Sequence, residues 1–220
     1  MRFFTQYVSE TPIRRINFVT SDKDRAYYRE KAASLYEYCL GKDDEDYTCV
    51  LEFVQHHLTR EPEESDVVHD LLAYLAEQML ELNKVKRAKQ KEFLAALVRT
   101  LKVKKDKDGR VGIDALVGKQ QLMEYAGDYR KEGDKPLSSD ELIAILRKNR
   151  ARLGVSLDIP MRVAENWTYE NEVRRLHKES LAEVLPVKER LRRTDALIDA
   201  VVYRLYGLTE EEIGIVEGNT

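Results

Sequence analysis

Five apolar residues, Val68, Leu72, Leu75, Met79 and Leu82, recur at alternating steps of four and three. That spacing places them on one stripe of an α-helix, whereas a strand would scatter them over both faces. Pro62 lies just upstream, and Ser65 is a suitable N-cap. The stripe lapses from Asn83 through Lys91 and resumes, in a shifted phase, with Phe93, Leu94, Leu97, Val98 and Leu101. The pattern predicts one helix of roughly 35 residues, about 50 Å long at 1.5 Å per residue. A second long helical stretch is expected from about Pro160 to Tyr206, kinked or broken at Pro186. Its last turns place Leu197, Ile198, Val201, Val202 and Leu205 on one face. Gly207 stands where a left-handed cap belongs, and Thr209-Glu210-Glu211-Glu212 spells a capping box for a terminal helix. Two such rods imply a mostly α fold of long antiparallel helices with coiled-coil-like seams.

The remaining elements are shorter. Residues 1–18 carry Phe3, Phe4, Tyr7, Val8, Ile13, Ile16 and Phe18 around Thr11-Pro12, the pattern of a short extended segment. From residue 19 to 220 the chain reads as one helical domain. Its first helix runs from about Asp22 to Cys39 and stops at Gly41; a second starts among Asp43 and Asp44 and carries Val50 to Leu58. Lys102 to Gly118 reads as a loop or small hairpin, and Gln120 to Tyr129 as a short helix. A further helix, capped by Ser138 or Ser139, runs to Leu153 and ends at Gly154.

Catalytic signatures are scarce. No G-x-G dinucleotide pattern occurs. The nearest phosphate-loop pattern, Gly112 to Gln120, has one residue too many between its glycines, with Gln120 where Ser or Thr would hold magnesium; it reads as a loop entering a helix. Cys39, Cys49, His56, His57 and His69 fit no zinc spacing, and two cysteines are too few for a disulfide scaffold. His177 reads as a lone residue on a polar helix face, without triad companions, and Asp43 to Asp46 as a solvated helix start. No secretory signal opens the chain and no apolar run approaches membrane length, so a cytoplasmic protein without a membrane partner is the expectation.

Charge is more informative. The net charge of −3 excludes a uniformly basic nucleic-acid coat. Yet residues 84–110 hold eleven Lys and Arg against only Glu92, Asp106 and Asp108, while Glu37 to Asp70 is strongly acidic. A basic section of this kind tracks phosphates without reading sequence, or simply solvates an exposed helix. The apolar stripes likewise pack within the chain or pair with another chain's helix.

The run Thr194 to Ile213, with Tyr203-Arg204-Leu205-Tyr206-Gly207-Leu208 and the tail Ile215-Val216-Glu217-Gly218, resembles the closing segment of adenine-specific DNA methyltransferases of the combined restriction–modification (type IIG) class and their phage-exclusion relatives. Pro12-Ile13-Arg14-Arg15-Ile16 with Phe18 resembles the exit from that family's target-recognition region. Ser65-Asp66-Val67-Val68-His69-Asp70-Leu71-Leu72, continuing through Leu75 to Met79 and Asn83-Lys84, resembles the start of its long helix. Leu116-Val117-Gly118-Lys119 and Leu146-Arg147-Lys148-Asn149 fall where the family has similar short motifs.

The resemblance implies the C-terminal helical part of such an enzyme: a specificity-associated spacer of an anti-phage restriction–modification system. The family's Asn-Pro-Pro-Tyr-type motif, which holds a flipped adenine, is missing, since no two of the prolines are adjacent. Catalytic, cofactor-binding and metal residues are therefore not assigned. S-adenosylmethionine would belong to a methyltransferase partner or further domain. Arg14, Arg15, Lys84, Lys86, Arg87, Lys89 and Lys91 are the candidate DNA-phosphate contacts. The other reading is a helical protein-interaction scaffold that never touches DNA.

Overall fold

The structure is a computed structural model, and it describes residues 14–42, 44–131, 133, 135–161 and 167–218. Seven α-helices lie among them: α1 (Asp22–Leu40), α2 (Thr48–Leu58), α3 (Ser65–Leu101), α4 (Lys119–Met123), α5 (Ser139–Lys148), α6 (Tyr169–Tyr206) and α7 (Glu210–Val216), with a 3-10 turn at Gly112–Ala115. The fold is mostly α, as the stripes require. No helix of the described residues is long and apolar enough to cross a membrane.

The chain divides into two compact units, one of residues 1–79 with 193–220, the other of residues 80–192; α3 and α6 contribute residues to both. The first unit is built around Tyr36 and Cys39 of α1, Val50 and Val54 of α2, Val68, Leu71 and Leu75 of α3, and Leu197 and Val201 of α6. Tyr36 is fully buried, and its hydroxyl is hydrogen-bonded to Thr194 Oγ1 at 2.9 Å. Buried Asp66, in the first turn of α3, accepts from the N–H groups of Val19 (3.0 Å) and Thr20 (2.8 Å) and from the Thr20 hydroxyl (2.9 Å). Arg25 adds a two-pronged bond to Asp70 at 2.7 and 2.8 Å. The segment leading into α1 is thus tied to the start of α3. Residues 14–19 hold no regular secondary structure, and the rest of the expected extended segment, 1–13, lies outside the described residues.

Within the second unit, the C-terminal half of α3 packs against the N-terminal half of α6. Lys89 meets Glu183, and four residues further along α3 the Phe93 ring meets His177, so the two run antiparallel. Phe93, Leu97 and Leu101 enter a core shared with Leu122, Tyr125, Leu142, Leu146 and Val173. The Tyr125 hydroxyl is bonded to Ser180 inside it.

Several boundaries differ from those the sequence suggests. Helix α2 begins at Thr48, with Tyr47 at its N-cap, where Asp46 Oδ1 accepts the Thr48 N–H at 2.9 Å and turns the chain into the helix; Asp43 lies outside the described residues. Residues 102–118 form turns rather than a hairpin, and α4 stops at Met123. Helix α5 ends at Lys148, since Asn149 turns its amide back onto Ile145 O (2.9 Å) and onto both backbone groups of Val117 (2.7 and 2.9 Å). Gly154 therefore closes a different helix. Its N–H donates to Leu101 O at 2.9 Å, and a Cβ there would lie 2.6 Å from Lys102 O. Helix α6 begins at Tyr169 rather than near Pro160, which instead forms an isolated antiparallel bridge with Thr168, and it continues through Pro186 without a break, with that proline on its exposed side; residues 162–166 lie outside the described residues. The capping box expected at Thr209 and Glu212 forms, Ser138 rather than Ser139 caps α5, in a box with Glu141, and Gly207 takes φ 65°.

Candidate nucleic-acid interface

At about 100° per residue, Lys84, Arg87 and Lys91 fall within about 60° of one another around α3, while Lys86 and Lys89 point to the opposite side. The structure bears this out: the first three are exposed and the last two half-buried. The basic run is therefore not one face. Lys89 is neutralised by Glu183 at 2.8 Å, and Lys84, 78% exposed, reaches Glu81 at 3.4 Å. Arg14, in the first unit, is committed to Leu205 O and to the Glu63 carboxylate, while Arg15 is exposed.

Three of the seven candidates share a groove of about 820 Å³: Lys84, Lys86 and Arg87 of α3. The opposite wall is the end of α4, with Met123, and the segment after it, with Asp128, Tyr129 and Arg130. Four basic side chains thus line the groove against two acidic ones, Glu124 and Asp128. Lys86 has no hydrogen-bond or ion-pair partner among the described residues. Burial pushes its pKa below the ordinary lysine value; Asp128 opposes that shift, while Arg87, Lys188 and Arg130 reinforce it. Such a site favours an added anion, which would relieve a desolvated cation surrounded by others.

The wall opposite α3 is held in place by Lys188 of α6, whose ammonium donates to Ala126 O at 2.9 Å. Gly127 follows at φ 71°, and a Cβ there would meet Lys188 Nζ at 2.9 Å and the Lys135 backbone at 3.1 Å. The left-handed φ is what favours glycine there, and the close approach of Lys135 adds to it. Tyr129 then presents an aromatic ring with the Arg130 guanidinium 5.5 Å from its centre. Arg130, Tyr129 and Lys188 escaped the sequence reading because only the tertiary fold carries them to α3. The division of Lys84, Arg87 and Lys91 from Lys86 and Lys89, by contrast, was available from a helical projection.

Other expected features resolve into structural roles. His177 is buried, not on a polar face. Its Nδ1 lies 3.1 Å from the Ser139 hydroxyl, its ring packs beside Phe93 and Tyr125, and burial lowers its pKa. Nε2 has no partner among the described residues, so the pair lacks the acid that would orient a nucleophilic dyad. His57 is buried between Tyr28 and Phe53 and hydrogen-bonded to Glu64 at 2.6 Å. No group of three or more metal-ligating side chains occurs among the described residues. Gly112 to Gln120 forms a 3-10 turn and the start of the five-residue α4, with Lys119 paired to Asp114 at 3.3 Å. No family model, curated protein or solved structure matches the chain.

Proposed function

We propose that this chain is a non-catalytic helical module of a DNA adenine methyltransferase or restriction–modification system, gripping the DNA backbone through the groove between α3 and the segment after α4. The groove supports the backbone-binding part of this reading. It combines a half-buried Lys86, without a partner among the described residues, with Arg87, Lys84 and Arg130 and an aromatic ring, a set that suits phosphate and sugar rather than base edges. The system to which it belongs rests on the ordered resemblance of five stretches. Methyl transfer and S-adenosylmethionine would lie with a partner or further domain, in the cytoplasm.

A competing reading, a scaffold that binds protein helices only, draws support from Lys89 and Arg14, whose charges are already engaged. Fluorescence anisotropy with a 20-base-pair duplex (about two helical turns) separates the two. Reversing Lys84, Arg87 and Arg130 to Glu should weaken binding by at least about 100-fold, given roughly 1 kcal/mol or more per lost phosphate contact. Undetectable binding would favour the scaffold, and binding that survives the triple reversal would refute the groove as the DNA contact.

A further inference from the structure

We propose that Cys39 and Cys49 form a modification site, oxidised by a hydroperoxide to a reversible disulfide that staples the end of α1 to the start of α2. Both are free cysteines, and their Sγ atoms lie 2.7 Å apart, one in the last turn of α1 and the other in the first turn of α2. A disulfide needs its sulfurs about 2.05 Å apart, so the two side chains already converge and only a small adjustment completes the bond. The connection between them is held independently of either thiol. Arg193 of α6 donates to the carbonyls of Cys39 (2.6 Å), Leu40 (3.1 Å), Lys42 (2.9 Å) and Asp44 (2.9 Å). The thiols are thus presented to each other on a fixed loop.

Their environments assign different roles. Cys39 is fully buried, and burial together with its neighbour Cys49 pushes its pKa up to about 12, so it stays a thiol. Cys49 is half-buried and is the sulfur a small oxidant reaches. The Cys49 thiolate attacks one peroxide oxygen and the O–O bond breaks. The departing oxygen leaves as hydroxide and takes a proton, and Cys49 becomes a sulfenic acid. The Cys39 sulfur then attacks the Cys49 sulfur, the S–O bond breaks, and the hydroxyl leaves with the Cys39 proton as water. Two thiols lose two electrons, and one peroxide becomes two waters.

The test treats the full chain with a small excess of hydrogen peroxide, then unfolds it, alkylates it and weighs it. The expected product has lost two hydrogen atoms, resists alkylation at both cysteines, migrates as a monomer without reductant, and regains both thiols with dithiothreitol. In Cys39→Ser the reaction should stop at the Cys49 sulfenic acid, which a cyclic dione traps; in Cys49→Ser no sulfenic acid should form. Should either variant fail to fold, the wild-type mass still decides. Two alkylatable thiols after peroxide, disulfide-linked dimers, or oxygen adducts on Cys49 beside a free Cys39 would each overturn the proposal.

Discussion

Removing Arg193 tests how the first unit holds together. Arg193 is only 8% exposed, and its guanidinium bonds four carbonyls at the end of α1 and in the following loop, of which Cys39 O also accepts a longer 3.4 Å bond from the Lys42 N–H. The Arg193→Met variant keeps much of the side-chain volume and removes every donor. Cys39 is fully buried and Leu40 half-buried, so their carbonyls recover water poorly, at about 1–3 kcal/mol each. Asp44 is exposed and Lys42 half-buried, so those two carbonyls regain water at about 0.5 kcal/mol each. The sum is a loss of about 3–7 kcal/mol, less some relief from no longer desolvating a cation. Arg193→Lys, with three donors on one nitrogen, should recover part of it. Urea unfolding followed by circular dichroism measures the change. A loss below about 1 kcal/mol in Arg193→Met would refute the reasoning, because a buried helix end would then tolerate its missing donors.

Three further outcomes follow from individual side chains. Lys86→Met should stabilise the chain by up to about 1 kcal/mol in urea unfolding, because it removes a half-desolvated ammonium, while weakening duplex binding; destabilisation would mean Lys86 serves packing instead. The folded pKa of His177 lies below its ordinary 6.5, because burial disfavours the imidazolium. As pH falls the unfolded chain takes that proton first, so stability is complete above about 6.5 and is lost as pH drops toward the folded value. His177→Phe should flatten that part of the stability–pH curve, and an unchanged slope would assign it to other groups, with buried His57 the first to consider. Asn149→Ala should lower stability by about 2 kcal/mol, since the buried amide makes three bonds to Val117 and Ile145; thermal unfolding checks this.

What the sequence made legible was local. Ser138 with Glu141, Thr209 with Glu212, Gly207 and the full run of α3 all follow from neighbours within one helical turn. What it hid depends on contacts distant along the chain. Gly154 looks like the end of its own helix, yet its small size serves the close approach of Lys102, 52 residues earlier. Asn149 likewise joins Leu146–Asn149 to Leu116–Lys119, so two of the short stretches singled out in sequence form a single clamp. Nothing local marks Arg193 as the cap of α1. The candidate groove was half legible: its α3 wall stands in the sequence as a basic run, but Asp128, Tyr129 and Arg130 join it only through the fold.

The most direct test of backbone binding is the salt dependence of duplex affinity. Lys84, Lys86, Arg87 and Arg130 engaging four phosphates would give a slope of log K against log salt of about −3.6, at roughly −0.9 per phosphate. Neutralising Arg87 should reduce that slope by about 0.9, whereas neutralising Lys89, already paired with Glu183, should leave it unchanged. A slope near zero, or equal responses to the Arg87 and Lys89 changes, would contradict the account.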